Sequence, residues 1–256
     1  MPPISEISVH SVPHICFLLA DVELKSSRLF PAIAVTIAFG LVAYWVRGVT
    51  LGGAIAGTAC AFLIYWGLGP GGFAALMTVF AITWACTRFG SSKKQRLGLG
   101  QDKTGRTAGQ VLANVAVAAA CAALSVKSAA FAVAALAAMA EAAADTSQSE
   151  IGEIASGRAW LITSFREVTP GTDGGITLSG SIAGLAAAGI VGSVAYAAST
   201  LTWRVSLVAA FAGFLGTIAD SLLGATLERR GLLNNDAVNF LSTAAAATVA
   251  LILAFQ

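Results

Sequence analysis

Eight apolar stretches recur along this chain of 256 residues, and each is close to the roughly 20 residues that an α-helix needs to cross a bilayer. They are residues 29–46, 49–67, 71–88, 108–126, 128–144, 177–199, 204–226 and 238–255. Charged residues make up 11% of the chain, far below the roughly one quarter of a soluble domain. The sequence therefore predicts an all-α, polytopic membrane helix bundle of about eight spans, or seven if one of the shorter stretches is re-entrant.

The positive charges are distributed unevenly between the two sides of such a bundle. With eight spans, four of the 15 Lys and Arg residues fall on one side, namely Lys25, Arg28, Lys127 and Arg204, and the others fall on the opposite side. Cytoplasmic loops carry the excess of Lys and Arg in membrane proteins. We therefore expect a protein of the inner or plasma membrane with its three polar loops in the cytoplasm, which are residues 89–107, 145–176 and 227–237.

The remaining features of composition exclude several classes of protein. Residues 1–28 contain three prolines and lack the basic flank of a signal peptide, so we expect an interfacial or disordered lead-in before one transmembrane domain, residues 29–256. The four cysteines have no CxxC or Cys/His spacing, which indicates neither a disulfide framework nor a zinc site. A net charge of +2 gives no indication of nucleic-acid binding, and nothing specifies an oligomeric state.

Two segments of the chain resemble each other. Residues 50–59, TLGGAIAGTA, match residues 177–186, TLSGSIAGLA, and the offset between them contains an even number of spans. The two copies then run in the same direction, so we predict two parallel three-helix repeats at about residues 49–126 and 177–255. Each copy contains a G-xxx-G motif, Gly53/Gly57 and Gly180/Gly184, whose ordinary role is close helix packing.

Acidic residues concentrate between Glu141 and Gly184, beside two long apolar segments. Carboxylates near the hydrocarbon region are costly to place, so they indicate a functional site. Asp145 and Asp220 each precede a hydroxyl residue, Thr146 and Ser221, near the same membrane face, and Ser149 continues the helical face of Glu141 and Asp145. Because Mg²⁺ prefers one or two carboxylates with phosphate oxygens, we expect Asp145, Glu150 and Asp220 to hold Mg²⁺.

Two plainer interpretations of this polar region remain open. The stretch between the apolar segments could be only a solvated connection between two helices. Asp145 and Asp220 could be buried partners of Arg106 or Arg166 in ion pairs without any chemistry.

Polar side chains at the ends of other spans are candidates for substrate or nucleotide binding. The amides Gln110 and Asn114, and likewise Asn235 and Asn239, lie four residues apart on one helical face, where they either join helices or contact substrate. If the repeats are parallel, Asn114 and Asn239 should face each other across one cavity that also exposes Asp145 and Asp220. Basic residues of the first polar loop either set the topology alone or fold over a polyphosphate, and these are Lys93, Arg96, Lys103 and Arg106.

A glycine-rich turn follows the acidic segment. Gly171, Thr172 and Gly174 lie in the run GTDGG, whose backbone N–H groups could approach an anion closely. In contrast, GLGPGG at residues 67–72 fits a dinucleotide-binding pattern but follows no predicted strand, so we do not assign it that role.

Several of these motifs together resemble one membrane-protein family. The motifs are GRTAGQVLAN at 105–114, ADTxxSEIG at 144–152, LIT at 161–163, REVxxGTxGGITLxG at 166–180, ADSLLGATLE at 219–228 and NNDAVNF at 234–240. The chain from about Leu51 to its end resembles the integral-membrane family that includes phytyl-phosphate kinase of tocopherol synthesis. This resemblance implies transfer of a phosphoryl group from a nucleoside triphosphate, CTP or ATP, to an isoprenyl monophosphate in the membrane lipid.

For such a reaction we expect the catalytic residues to be Asp145, Glu150, Asp220 and Arg166. Phosphoryl transfer depends mainly on positioning and charge neutralisation, which carboxylate-bound Mg²⁺ and basic side chains supply. The alternative is a membrane transporter of a small anionic or lipid-phosphate substrate, since parallel repeats and buried carboxylates also occur in transporters. A transporter needs polar positions on a path to both sides, whereas the loops on the other side are nearly featureless, and this favours an enzyme.

Overall fold

The structure, a computed structural model, describes residues 11–90, 105–155, 157–198 and 202–254, with side chains from Ser27 onward. These residues form seven α-helices, one π-helical turn and one small sheet. The helices are α1 (Ser11–Trp45), α2 (Leu51–Arg88), α3 (Ala108–Leu124), α4 (Ala129–Ile154), α5 (Leu178–Ala198), α6 (Trp203–Leu223) and α7 (Asn235–Ala254). The π-helix Gly224–Glu228 continues α6 directly.

Six of the described helices are long and apolar enough to cross a membrane, and α3, with 17 residues, is a shorter apolar helix. The expectation of an all-α membrane bundle is therefore confirmed. Apart from the earlier start of α1, at Ser11, the helices follow the predicted apolar stretches closely, with two exceptions, α2 and α4.

The first exception is α2, which has 38 residues and reverses direction in its middle. A straight helix of that length would measure about 57 Å, nearly twice the hydrocarbon thickness. Gly69 has φ +71° and ψ −163°, a conformation that glycine adopts without a steric penalty. At the far end of α2, Arg88 Nη2 donates to Val46 O at 3.0 Å, which places the end of the helix next to its own beginning. The two halves of α2 therefore correspond to the second and third predicted spans.

The described parts of the polar loops lie together at one end of the bundle, which we call the polar end. Arg106 joins the segment before α2 by two backbone hydrogen bonds, to Gly48 O at 3.0 Å and from Thr50 N at 2.9 Å. Gly90 packs against Ile154, and Gly174 packs against Gly224. Grouping the loops this way agrees with the eight-span topology, while the cytoplasmic orientation of the polar end stays a prediction.

Helix α4 is the central helix of the bundle, and far more of it is buried than of any other candidate span. It packs against α2, α3, α5, α6 and α7. Its residues Ala134 to Ala144 are almost completely buried, and their small side chains let the neighbouring helices approach closely. A helix that is apolar on all sides is stable only inside a bundle.

The second exception is the length of α4, which continues to Ile154, ten residues beyond the predicted span. Asp145, Thr146, Ser149 and Glu150 therefore belong to the helix and not to a loop. Helical geometry fixes the directions of these side chains: Asp145 and Ser149 lie on one face, and Thr146 and Glu150 lie on another.

The loop after α4 contains a three-stranded antiparallel sheet that the sequence analysis did not predict. Its strands are β1 (Ala159–Leu161), β2 (Glu167–Val168) and β3 (Gly175–Ile176), in the order β2-β1-β3. Trp160 pairs with Glu167 on one side and with Ile176 on the other. The sheet fixes the GTDGG turn between β2 and α5.

Residues 11–28, expected to be a lead-in, form the first turns of α1. The internal repeat stays a prediction, although both copies begin in the same way. Thr50 Oγ1 accepts a hydrogen bond from Gly53 N at 3.1 Å, and Thr177 Oγ1 accepts one from Gly180 N at 3.0 Å. Each threonine thus caps the helix that follows it.

Candidate functional site

Three carboxylates meet where α4 faces α6, and we call Glu141, Asp145 and Asp220 the carboxylate cluster. Glycines on α6 permit this approach. A Cβ at Gly213 would lie 2.8 Å from Glu141 N, and a Cβ at Gly216 would lie 2.5 Å from Glu141 Cγ. Asp145 follows Glu141 by one helical turn, and Asp220 follows Gly216 by one turn, so the two aspartates also meet.

The carboxylate cluster is buried but its oxygens are not fully satisfied. Glu141 is 1% exposed, and its Oε1 has no hydrogen-bond partner among the described residues; the same is true of Asp220 Oδ1. Ser242 on α7 lies beside both carboxylates, yet its hydroxyl donates to Asn239 O at 3.0 Å. Buried polar atoms are normally hydrogen-bonded, so these two oxygens indicate a binding position for a cation or a donor group.

Two further acidic side chains extend the cluster toward the polar end. Glu228, on the π-helix, is close enough to Asp145 and Asp220 for their charges to interact, and Asp173 of the GTDGG turn lies near Glu228. A π-helical turn inside or after an α-helix often marks a functional site. The negative charge of this region therefore reaches from the middle of the bundle to its polar surface.

Arg106 provides the positive charge next to the cluster. Its Nη2 donates to Thr146 Oγ1 at 3.2 Å, and its guanidinium acts electrostatically on Asp145. Burial lowers the pKa of the Arg106 guanidinium, and the Asp145 carboxylate opposes that change. An arginine stays protonated in proteins, so Arg106 is a permanent cation between α3 and α4. Arg106 is thus hydrogen-bonded to Thr146 and is the cation that acts electrostatically on Asp145.

A cavity of about 850 Å³ lies on the opposite side of Arg106, between α1, both halves of α2, α3 and α4. Its polar end is formed by three arginines, Arg47, Arg88 and Arg106. Its deeper wall is apolar and includes Phe39, Leu76, Val79, Phe80 and Val115. A cavity of this size and composition is typical of small-molecule sites, where a few polar groups orient a largely apolar ligand.

The arginines at the mouth of the cavity are held in position differently. Arg88 stacks on the Trp84 ring, with Cζ 4.2 Å from the ring centroid, and donates to the carbonyl oxygens of Val46 and Arg47. These contacts fix the Arg88 guanidinium at the rim. Arg47 itself is exposed and has φ +54°, an uncommon conformation outside glycine.

Buried polar groups from α2, α3 and α4 also line the cavity. Asn114 is buried and donates from Nδ2 to Gln110 O at 2.9 Å, which leaves its side-chain oxygen available. Glu150 is 6% exposed and lies on the cavity wall. Thr87 Oγ1 is buried without a hydrogen-bond partner in the described part of the chain. These groups could contact the polar part of a ligand.

The amides predicted from sequence have distinct roles. Gln110 lines the cavity but also forms a capping box, since its Oε1 accepts from Thr107 N at 2.9 Å. Asn239 is buried on α7 beside Ser242, whereas Asn235 is exposed at the start of α7. The cavity of about 850 Å³ is lined by Asn114 and not by Asn239. Helices α3 and α7 nevertheless pack directly on each other, with Thr243 Oγ1 donating to Ala113 O at 3.5 Å, and a site shared by the two amides stays a prediction.

The predicted magnesium ligands do not all lie in one place, because Asp145 and Glu150 are on different faces of α4. Asp145 and Asp220 lie together, but Glu150 points into the cavity, and Glu141 takes the third position of the cluster. No group of three or more His, Cys, Asp or Glu side chains among the described residues is arranged to hold a metal ion by itself. The two unsatisfied oxygens of Glu141 and Asp220 still fit Mg²⁺, which commonly takes one or two carboxylates and completes its shell with phosphate and water oxygens.

The GTDGG turn packs on the end of α6. A side chain at Gly174 would collide with Ala225, and Gly174 approaches Gly224 closely. Thr172 donates from N and Oγ1 to Thr169 O, at 3.1 and 2.7 Å. Gly171, with φ +88°, is exposed. The close approach that these glycines permit is therefore to the π-helix, and anion binding by the turn stays a prediction.

The other predicted residues lie at several distances from this centre. Ser149 lies beside Asp145, and Ser221 Oγ accepts from Gln148 Nε2 at 3.4 Å, which joins α4 to α6. Arg166 is exposed beside the sheet, and no ion pair links it to a carboxylate within the described ranges. Lys93, Arg96 and Lys103 lie outside the described residues.

Three residues of the site were not among the sequence-based candidates. Arg47 and Arg88 had counted only as topology signals, although Arg47 directly follows one predicted span and Arg88 is the last residue of another, both at the polar end. Glu141 had been noticed for its spacing to Asp145 but left out of the expected ligands. Glu141 lies four residues deeper in an apolar helix than Asp145, and this depth was the sequence signal that could have identified it as part of the site.

The fold defines an all-α integral membrane protein, and the two polar centres form a candidate binding site at one end of its helix bundle. The chain belongs to the family described as integral membrane protein DUF92, whose model matches residues 34–247. The family resemblance inferred from the motifs is thereby confirmed.

Three relatives illustrate the spread of this family. An uncharacterized membrane protein of Methanocaldococcus jannaschii is 30% identical over 217 residues, which cover 84% of this chain and 90% of the relative. Protein PGR of Arabidopsis thaliana is 30% identical over 80% of each chain. Protein VTE6, chloroplastic, of the same plant is 27% identical over 81% of this chain and 66% of its own. No solved structure matches.

Proposed function

We propose that this protein is an integral-membrane isoprenyl-phosphate kinase, which transfers a phosphoryl group from a nucleoside triphosphate to an isoprenyl monophosphate. The observation that carries the proposal is the cavity, which is cationic at the polar end and apolar toward the bundle interior, beside a buried carboxylate cluster. The resemblance to the family that includes phytyl-phosphate kinase agrees with this chemistry.

The two parts of the cavity match the two parts of such a substrate. Arg47, Arg88 and Arg106 would receive the monophosphate, because guanidinium groups form forked, charge-assisted hydrogen bonds with phosphate oxygens. The apolar wall around Phe39 and Phe80 would receive the isoprenyl chain, whose transfer out of water is favourable. The chain would remain within the hydrocarbon region while its phosphate reaches the polar end.

The carboxylate cluster would serve the nucleotide side of the reaction. Glu141 and Asp220 would hold Mg²⁺ through their two unsatisfied oxygens, with Asp145 beside them, and this ion would neutralise phosphate charge during transfer. Arg106 lies between the cluster and the cavity, where it would orient the acceptor phosphate toward the donor phosphate. Its position beside Asp145 also keeps the acceptor and the carboxylates from repelling each other directly. A phosphate-monoester nucleophile requires no strong general base, and phosphoryl transfer relies on such positioning.

The one-sided placement of the polar groups supports an enzyme over the alternative transporter. The arginines of the cavity and the acidic residues from Asp145 to Glu228 all lie at or near the polar end. At the opposite end, the connection in α2 is a glycine–proline reversal, and Gly67 O accepts from Ser125 Oγ at 3.3 Å. Alternating access requires binding groups on a route to both sides. A transporter would move an isoprenyl phosphate without changing it.

The direct test is phosphoryl transfer by the purified protein in lipid nanodiscs. The protein is incubated with magnesium, γ-labelled ATP or CTP, and a series of isoprenyl monophosphates, and the products are separated by chromatography. We expect labelled isoprenyl diphosphate from at least one donor and acceptor pair. The conclusion is contradicted if no labelled diphosphate forms with any pair while the protein remains monodisperse.

A matched pair of variants ties the activity to the site. Asp145→Asn should abolish the labelled product, whereas Glu167→Gln, a carboxylate change on the exposed sheet, should leave it unchanged. Equal activity of both variants would show that Asp145 takes no part in the transfer and would contradict the proposed site. Uptake of labelled isoprenyl phosphate into sealed vesicles without conversion would instead establish transport.

A further inference from the structure

One exposed aromatic side chain at the polar end is not part of any helix. Phe165 lies in the loop that joins β1 to β2 and is 74% exposed. The other exposed aromatic residues in the described part of the chain all lie within a helix or directly after one, as Trp45 and Phe89 do. Helix ends are where membrane proteins commonly place their interfacial aromatic residues. The exposure of Phe165 therefore needs a different explanation.

The loop holds Phe165 in a conformation that bulky residues rarely adopt. Its φ is +52°, in the left-handed region that is costly for a side chain of this size. Phe165 N donates to Leu161 O at 2.8 Å, and Leu161 N donates to Arg166 O at 2.9 Å, so hydrogen bonds close the turn. Strained residues of this kind concentrate at ligand sites. A glycine would fit the position without strain, so the exposed ring indicates a binding partner.

Arg166, the next residue, adds an unpaired positive charge. Its guanidinium is exposed and has no ion-pair or hydrogen-bond partner among the residues that the structure describes. The other arginine of the sheet, Arg158, lies 3.8 Å from Glu167 instead. We call Phe165 and Arg166 the hairpin tip. Together they offer an aromatic face for stacking and a forked donor for phosphate oxygens.

A short series of contacts connects the hairpin tip to the carboxylate cluster. Ile162, at the start of the loop, donates from N to Gly174 O at 3.0 Å. Gly174 lies against Gly224, where a Cβ would be 2.9 Å from Gly174 N. Gly224 N in turn donates to Asp220 O, one turn earlier on α6. The hairpin tip therefore belongs to the side of α4 that carries the carboxylates, and not to the side of the cavity.

The charges along this connection favour a nucleoside triphosphate with magnesium as the partner of the hairpin tip. The proposed magnesium site accounts for the phosphate end of such a nucleotide and leaves its base without a position. Every base has a flat face that stacks on an aromatic ring, whatever its identity. A lipid headgroup with a negative charge but no metal would be repelled by Asp173, next to Gly174, and by Glu228 near it.

We propose that the hairpin tip binds the phosphoryl donor, with the base stacked on Phe165 and the α- or β-phosphate bound by Arg166. The γ-phosphate would then lie at the magnesium ion held by Glu141 and Asp220. This role rests on the proposed kinase function, because it places the donor of that reaction. Arg166, expected from sequence to be catalytic, is in this arrangement a binding residue for the donor.

The test measures binding of a β,γ-imido analogue of ATP or CTP to the purified protein in nanodiscs with magnesium. Phe165→Gly removes the ring and the backbone strain together, so a loss of affinity reports the missing ring and not a distorted turn. We expect its Kd for the analogue to rise roughly tenfold, as for the loss of one stacked base. Phe165→Trp should keep the wild-type Kd, because the larger ring preserves stacking.

Arg166→Gln should raise the same Kd by roughly tenfold, since it removes a charge-assisted contact with phosphate, and should leave the KM for the isoprenyl monophosphate unchanged. Two matched controls should bind the analogue like wild type. They are Phe89→Ala, at another exposed aromatic residue of the polar end, and Arg158→Gln, at the paired arginine of the sheet. A wild-type Kd in both Phe165→Gly and Arg166→Gln would overturn the inference and leave the kinase untouched.

The remaining outcomes distinguish the hairpin tip from the kinase itself. If the wild type forms no labelled diphosphate, the kinase is refuted, and the Kd series alone decides whether the tip binds a nucleotide. If the wild type binds neither analogue, both are refuted.

A fluorescent reporter excludes the membrane as the partner. A bimane attached to the Phe165→Cys variant should respond to the nucleotide analogue and not to brominated lipids in the nanodisc. Quenching by brominated lipids without a response to the analogue would assign the hairpin tip to the membrane surface and overturn the inference.

Discussion

The two halves of the molecule carry the same glycine motif but pack differently on their neighbours. On α5, a Cβ at Gly180 would lie 2.5 Å from Gln148 O and one at Gly184 would lie 3.0 Å from Ala144 O, so α5 is sealed against α4. On α2, a Cβ at Gly53 would overlap Arg106 O, whereas one at Gly57 would meet only Val111 Cγ1, at 3.6 Å, and both glycines line the cavity. The second glycine of the motif is therefore tightly packed in one half, at Gly184, and borders open space in the other, at Gly57.

This difference assigns separate tasks to the two faces of α4. The face toward α6 and α7 is closely packed and carries the carboxylate cluster. Close packing holds these like-charged side chains in fixed positions near one another. The face toward α1, α2 and α3 borders the open space that an apolar substrate requires. Arg106 donates to Thr146 and acts electrostatically on Asp145, so its charge lies next to both faces.

The largest effect is expected from adding a bulky side chain to the closely packed interface between α5 and α4. Gly184→Leu would insert a side chain where α5 meets the backbone of α4, and overpacking of this kind costs about 1–3 kcal/mol or more. We expect loss of monodisperse protein in detergent or a sharply lowered Tm. Gly189→Leu on the same helix should be harmless, because a Cβ there meets nothing within 4 Å. Equal stability of the two variants would refute the sealed interface.

The matching change in the open half should have a different consequence. Gly57→Leu adds a side chain that points into the cavity, so we expect folded protein whose thermal unfolding stays close to wild type. Its KM for isoprenyl monophosphate should rise, since the added side chain occupies substrate space. Unfolding as severe as that of Gly184→Leu would mean that both motifs serve packing alone.

The next largest effect concerns the carboxylate cluster. Glu141→Gln and Asp220→Asn should each lower kcat by roughly 10²-fold or more, because each removes an oxygen charge from the proposed magnesium site. Expression and Tm should stay near wild type, and higher magnesium should partly restore the activity of each variant. If both variants kept a near-normal kcat, the carboxylate cluster would have a structural role and not a catalytic one.

A smaller effect is expected at the cavity mouth. Arg88→Gln removes one charge-assisted contact with the acceptor phosphate, and such contacts contribute about 1.5–3 kcal/mol. We expect KM for the isoprenyl monophosphate to rise by roughly 10-fold to 100-fold, with the KM for the nucleotide unchanged. Arg204→Gln, at the opposite end of the bundle, is the control for a general loss of positive charge. A change confined to the nucleotide KM would place the donor, and not the acceptor, at this rim.

The smallest effect is expected from Glu150→Gln. In the structure Glu150 belongs to the cavity wall and not to the carboxylate cluster, so the variant should retain most of its kcat and its magnesium dependence. A modest change of acceptor KM, below roughly tenfold, is the expected result. A loss of activity equal to that of Asp220→Asn would restore Glu150 as the metal ligand first expected from sequence.

The sequence predicted the bundle well because the length of an apolar stretch is set directly by the bilayer. Even the reversal at Gly69 was indicated, since two apolar stretches separated by GPGG cannot form one straight span. The proximity of Asp145 and Asp220 was also predictable from their depth in the membrane, because a buried carboxylate needs partners from neighbouring helices.

Other features could not be read from one sequence. Glu150 and Asp145 lie five residues apart, and their separation onto different faces depends on α4 remaining helical through a polar segment. The strands of the small sheet have two or three residues each, too few to show a period. The cavity exists because the small residues of α1 and α2 leave space between the helices. Such a space depends on how the helices pack, and no sequence motif indicates it.

The most direct test of the central claim is an experimental structure with an isoprenyl monophosphate bound. Our account predicts the phosphate within hydrogen-bond distance of Arg88 or Arg106, with the chain running past Phe39 toward Gly40. Magnesium, when added with a nucleotide analogue, should lie beside Asp145 and Asp220, across α4 from the chain. A ligand bound on the α5 side of α4, or a phosphate at the end of the bundle near Arg28, would contradict the account.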